Sequence, residues 1–391
     1  MLFLFKIILC YNAFMKKIIK NTSMTAILLV VVAIFLANNS VLAQETQAKG
    51  PETFRAKVIK VIEEKSEVRE NNSISYLQVL KLEIKDGSLK GQEVVYDGQL
   101  YDVLSAPRYK VNDKVIINKS YDADGNEVYY VTDYDRSNVL IWLAVLFAVF
   151  VVIVGKLKGL RALIVLVLTF LIVLKFIIPY ILAGKSPLIV SIVGSLVILL
   201  VATYLTEGFN RRSHIAVSAI FISLVITGLL SILFISLANL TGFTSEDVMF
   251  LVSSSTGGAI NIKGLLLAGI IIGALGVLDD VVIAQIVLVE ELSNVNKKLN
   301  NYELYKKAMV VGVSHLASMA NTLFLAYAGA SLPLLILFSS HTGALTLMQA
   351  LSTEAIATEV VRTFVGSIGL VLAIPIATVL AVKFRENNNL K

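Results

Sequence analysis

The chain has 391 residues, 57% of them hydrophobic and 16% charged, with a formal net charge of +6 and a mean hydropathy of +0.80. Soluble domains run near ~45–50% apolar and about 25% charged, so a single soluble globule is excluded. The basic residues mostly flank apolar runs, where they set membrane orientation and do not serve nucleic acid.

At the amino end, Lys16, Lys17 and Lys20 precede the apolar run Thr25–Leu36, and Ser40-Val41-Leu42-Ala43 follows. A basic stretch, a short apolar core and a small residue predict a secretory signal cut after Ala43, with an uncleaved anchor helix as the alternative. Residues 1–43 are therefore leader and signal. The one cysteine, Cys10, falls inside them, which leaves the mature chain no disulfide and no thiolate ligand.

Residues 44–138 alternate apolar and polar positions over 54–62, 76–84, 93–96, 114–118 and 128–132, with Asp86-Gly87, Asp97-Gly98 and Asp124-Gly125 as turns. This predicts a small extracytoplasmic all-β domain, a barrel or sandwich of OB-like type. Asp122, Asp124, Asp133 and Asp135 suggest either a calcium site or a solvated turn. The spacing lacks an EF-hand's full pattern and favours the turn.

Residues 139–391 form the predicted transmembrane domain. Seven spans can be drawn, at 139–155, 162–183, 187–206, 215–240, 264–290, 308–338 and 361–382. At about 1.5 Å per residue each crosses or nearly crosses a hydrocarbon core of about 30 Å. Lys156, Lys158, Arg161, Arg211, Arg212, Lys297, Lys298, Lys306, Lys307, Lys383 and Arg385 concentrate in alternate loops. The positive-inside rule makes those loops cytoplasmic, with the β domain outside and the C-terminus inside. This orientation agrees with the signal. The stretches 241–263 and 341–360 are expected as loops, interfacial helices or re-entrant hairpins.

The fifth span carries two adjacent aspartates, Asp279 and Asp280, and the sixth carries His315, Ser318, Asn321 and Thr322. Ionisable side chains at membrane depth are costly and mark ion or solute pathways. Gly269, Gly273 and Gly276 recur at helical spacing on nearly the face of Asp280, so they predict a close helix–helix seam there. Asp279 points about 100° away. Asp280 lies about 15 Å from the inner end of its span and His315 about 10 Å from the inner end of its own. The two can therefore meet if their faces match, as a proton relay, a cation site or a metal pair; a purely structural Asp–His bond is the alternative. No phosphate loop, His-Glu-x-x-His motif or Gly-x-Ser-x-Gly elbow is present.

The block Gly273-Ala-Leu-Gly-Val-Leu-Asp-Asp-Val-Val-Ile-Ala284, followed by His315-Leu-Ala-Ser-Met-Ala-Asn-Thr-Leu-Phe-Leu-Ala-Tyr-Ala-Gly-Ala-Ser-Leu-Pro-Leu334, resembles the YibE/F-like family of bacterial multi-pass membrane proteins. The resemblance covers roughly 140–385. It implies membrane location and topology, an aspartate at Asp280 and an asparagine–threonine pair at Asn321 and Thr322, and leaves mechanism open.

These features predict a transporter or exporter of an ion or small polar solute, with no enzymatic activity and no cofactor. Asp279, Asp280, His315, Ser318, Asn321 and Thr322 would form the site, and Asp280 would bind the cation or exchange the coupling proton. The alternative is a non-catalytic scaffold or sensor whose outer domain binds an envelope partner. Besides the bilayer and the solute, a second copy or such a partner are the candidate partners.

Overall fold

A computed structural model describes residues 52–68, 74–99, 107–122, 125–244, 246–254, 260–333, 335–336 and 346–385. The leader, the signal and Cys10 lie outside them. The chain divides into two compact units, one within Gln44–Val154 and one within Gly155–Lys391.

The first unit is a curled five-stranded antiparallel sheet. Its strands are β1 (Glu52–Val68), β2 (Ile74–Ile84), β3 (Glu93–Asp97), β4 (Lys114–Tyr121) and β5 (Glu127–Tyr134), in the order β3-β2-β1-β4-β5. β1 is long enough to serve two partners, β4 through its first half and β2 through its second. Register shifts between Val58 and Lys60 and between Val61 and Glu63 bend it, as bulges do. The result is a half-barrel. Alternate residues face one core: Phe54, Ala56 and Val58 on β1, Leu80, Leu82 and Ile84 on β2, Val115 and Ile117 on β4. Each fully buried aliphatic side chain here contributes about 1.5–3 kcal/mol. Buried Gln78 clamps the incoming chain: its Nε2 donates to the Tyr109 carbonyl at 2.9 Å, and its Oε1 accepts from the Tyr109 N–H at 2.7 Å.

Arg55 holds the turn after β2. Its backbone N–H donates to Asp86 Oδ1 at 2.7 Å and its Nε to Oδ2 at 2.6 Å. The guanidinium hydrogen bond keeps the Asp86 carboxyl below the usual carboxylate value of 3.8. A depressed pKa stabilises the fold above the unfolded value, and that stability is lost as pH falls through the folded one. Amide protection factors in the β2–β3 turn, taken relative to intrinsic exchange at each pH, are thus expected to fall below about pH 4 in the wild type. Asp86→Asn should remove that acid-dependent component; an unchanged acid profile in the variant would refute the assignment. The acidic group divides between local partners, with Asp122 accepting from Asn126, Asp133 pairing with Arg136 and Asp135 accepting from Ser137. Asp124 lies outside the described residues.

The second unit is helical. Its elements are α1 (Ser137–Ile172, begun in the first unit), a π turn (Val173–Ile177), α2 (Ile178–Leu182), α3 (Pro187–Glu207), α4 (Arg211–Leu237), α5 (Glu246–Ser254), α6 (Ile262–Val295), α7 (Asn301–Ala330), α8 (Leu347–Leu351) and α9 (Glu354–Lys383). Among the described residues, six helical stretches are long and apolar enough to cross a membrane. The first runs from Ser137 to Leu182 and takes in both of the first two predicted spans. It is interrupted at Lys156, where φ is 50° and ψ is −130°. An L-residue there costs about 1–3 kcal/mol, so the helix is broken at that point. Lys175 lies in the π turn, whose Ile177 fills the space left by Gly194 of α3.

Hydrocarbon gives helices little hydrophobic reason to associate, so close approach and buried hydrogen bonds must hold them. α6 and α9 are the most buried spans, and α4 packs on both. Gly369 of α9 sits directly on the Thr227 hydroxyl of α4. Ser223, Thr227 and Ser231 are fully buried along α4, and each donates to the carbonyl four residues earlier. At the far end, Glu354 at the start of α9 closes the α4–α5 connection. Its Oε1 accepts from the Thr241 N–H at 2.7 Å, the Thr241 hydroxyl at 2.6 Å and the Gly242 N–H at 2.7 Å. Glu354→Ala should lower stability by about 2–3 kcal/mol, read as a fall in the thermal midpoint in detergent, with Glu354→Gln recovering part of it. No change in either variant would show that the clasp is dispensable.

The predicted loops at 241–263 and 341–360 contain the short helices α5 and α8. Near the start of α9, Arg362 pairs with Glu359, its Nη1 2.9 Å from Glu359 Oε1.

Candidate functional site

The two aspartates part company on α6. Asp279 is half-buried and turned towards α3, where the fully buried Thr203 hydroxyl donates to its Oδ1 in a long bond of 3.4 Å. Asp280 is exposed, and no hydrogen bond or ion pair engages it among the described residues. Gly269 and Gly276 share that bare arc: a Cβ added at either would meet nothing within 4 Å. Gly273 alone has a neighbour across the way, with the Tyr327 hydroxyl 3.2 Å from such a Cβ. The glycine arc therefore forms no continuous seam within one chain. The α6 surface that packs on α7 and α9 is apolar instead, built on Val277 and Val281 against Met309, Leu316, Met319, Leu370 and Ile374.

On α7, His315, Ser318, Asn321 and Thr322 are all exposed. Thr322 donates to the Ser318 carbonyl at 3.0 Å. Depth agrees with expectation. Gln285 of α6 donates to the Ala308 carbonyl of α7 at 3.2 Å, which sets the two helices level there. Asp280 is then about 7.5 Å and His315 about 10 Å further along. The faces do not match. Tyr327, the α7 residue that reaches the glycine arc, is about 120° around α7 from His315. No hydrogen bond or ion pair joins Asp280 to His315, and no group of three or more His, Cys, Asp and Glu is gathered as metal ligands among the described residues.

Several polar groups escaped the sequence reading. Gln285 is buried, and its Nε2 bridges the Ala308 carbonyl and the Thr378 hydroxyl of α9, the latter at 2.8 Å. Gly312 makes room for that amide: an added Cβ would stand 2.9 Å from Gln285 Nε2 and 2.8 Å from Ile374 Cγ2. One glutamine in an apolar run has no periodicity to reveal it. Ser191 and Ser195 of α3 are fully buried, and their hydroxyls have no hydrogen-bond partner among the described residues. They lie one turn apart on the buried side of the helix that carries Thr203 two turns further on. The Ser-x3-Ser-x7-Thr spacing was the available signal.

Towards the end of the bundle where α3 meets α4, a cavity of about 580 Å³ opens between α1, α3, α4, α6 and the end of α9. Glu207, one turn beyond Thr203, and Glu290, three turns beyond Asp279, are in its wall. A separate pocket of about 10 Å³ shares Glu207, Arg212 and Ile286 with the cavity wall and includes Ile283, one turn from Asp279. Thr203 is one turn from Glu207 in the cavity wall, so the Asp279–Thr203 pair stands just above the cavity.

The family model described as YibE/F-like protein matches residues 143–387. No curated protein and no solved structure matches the chain. The matched region spans α6 with its aspartates, α7 with its polar face and the α9 helix that holds them together, and the chain belongs to the YibE/F-like family.

Proposed function

We propose that this membrane protein is a transporter of an ion or small polar solute, not an enzyme, with Asp279 as its principal intramembrane ligand. The observation that carries the reading is the half-buried Asp279 facing the Thr203 hydroxyl across the α3–α6 seam, one turn from a cavity that opens at the bundle end. A carboxylate kept at that depth is costly unless a solute or proton uses it. The unpartnered hydroxyls of Ser191 and Ser195 extend the polar lining along α3. Asp280, His315, Ser318, Asn321 and Thr322 serve this reading as the outer part of the pathway, on faces that one chain leaves bare.

The proposed topology has seven crossings, because the break at Lys156 divides the first long helix into arms of about 28 Å and about 37 Å. The basic ends of α1, α4 and α9 lie in the cytoplasm, the β domain lies outside, and the signal is removed.

A second reading has its own support. α7 is the least apolar of the six spans and yet among the least buried. Such a helix suits assembly with another protein, as in a scaffold or sensor whose β domain meets an envelope partner. Deleting residues 44–138 separates the two. A transporter keeps its flux in liposomes, whereas loss of all cellular function with flux never detectable favours the scaffold.

A further inference from the structure

We propose that the cavity at the α3–α4 junction is a binding site for a phosphate group, carried either by a lipid headgroup or by a soluble phosphate compound. Its volume of about 580 Å³ falls in the range of small-molecule sites. Six cations line it: Lys158 and Arg161 of α1, Arg211 and Arg212 of α4, Lys297 beyond α6, and Arg385 beyond α9. They come from elements more than two hundred residues apart in the chain and converge on one space.

The two carboxylates in the wall do not balance them. Glu290 is taken by Arg212, whose Nη2 donates to its Oε1 at 2.7 Å and whose Nε pairs with its Oε2. Glu207 lies 4.0 Å from Lys158. Arg211 donates to the Arg385 carbonyl at 3.2 Å, and Arg385 to the Leu299 carbonyl at 2.9 Å. Those neutral acceptors fix both guanidiniums in place without cancelling their charge. Arg161 and Lys297 have no hydrogen bond or ion pair among the described residues.

Orientation signals explain the sign of these loops. They do not explain guanidiniums anchored by carbonyls around a cavity. Arginine forks match phosphate oxygens, and the amino end of α4, capped by Asn210, adds its partial positive charge at the same wall. The position at the end of membrane-crossing helices is also where basic pockets meet anionic headgroups. This site stands whether or not the protein transports.

The test uses the full chain purified in a neutral detergent. One arm titrates inorganic phosphate and pyrophosphate by calorimetry. The other measures retention of phosphatidylglycerol against phosphatidylcholine in nanodiscs. Saturable binding in the first arm identifies a soluble source; selective retention of phosphatidylglycerol identifies a lipid one. In whichever arm is positive, Arg161→Gln and Lys297→Gln should each weaken binding about tenfold. Neither removes a native pair, so both variants should fold. Glu290→Gln should tighten binding by releasing Arg212. Absence of saturable binding in both arms, or an Arg161→Gln/Lys297→Gln double variant that binds like the wild type, overturns the proposal.

Discussion

Asp279→Asn is expected to reduce flux by roughly two orders of magnitude while leaving the protein inserted and folded. The substitution keeps the shape and a hydrogen-bonding group opposite Thr203, and removes only the charge. A contact between a carboxylate and a bound ion of about 3 kcal/mol corresponds to about 100-fold. The measurement is uptake into liposomes across a panel of metal ions and anions, with and without a proton gradient. Asp280→Asn should retain a larger share of the flux, because Asp280 is exposed on α6 and has no partner among the described residues. Wild-type flux in Asp279→Asn would remove the transport reading built on this residue. If instead Asp280→Asn abolishes flux and Asp279→Asn does not, the pathway runs along the bare glycine arc and not through the α3–α6 seam.

Gly312→Ala should destabilise the helical unit by about 2–4 kcal/mol. The added carbon would crowd Gln285 and Ile374 at once. Overpacking costs about 1–3 kcal/mol. Pushing the Gln285 amide off Thr378 and the Ala308 carbonyl adds about 1–3 kcal/mol per buried polar group left unpaired. Alanine's better helix propensity returns only about 1 kcal/mol. Thermal unfolding in detergent reports the loss. Adding Gln285→Ala should recover part of it, because that change vacates the space and removes the stranded amide together. A double variant as unstable as the sum of its parts would show that the two residues are not coupled.

The contrast between these two sites shows what could be read from sequence. The strands at 114–118 and 128–132 and the helices at 187–206 and 264–290 were legible within a few residues, because apolar period and turn chemistry are local properties. The sixth span was placed late. α7 starts at Asn301, not 308, because Asn300 and Glu303 form a capping box in front of the apolar run. Facing was harder. Glycine spacing singled out the Asp280 arc as the packed one, but α6 packs through Val277 and Val281 and leaves Gly269 and Gly276 open. A helical repeat tells which residues share an arc, not which neighbour that arc meets; the neighbours are fixed by contacts such as Gln285–Thr378 that join residues 93 positions apart.

The two hydroxyl-bearing helices also differ in what they can offer a passing solute. On α4 the hydroxyl protons of Ser223, Thr227 and Ser231 are already committed to the helix's own backbone. On α3, Ser191 and Ser195 keep theirs uncommitted. Under the proposed transport reading, α3 has hydroxyls that can both donate to a solute and accept from it, whereas those of α4 can only accept.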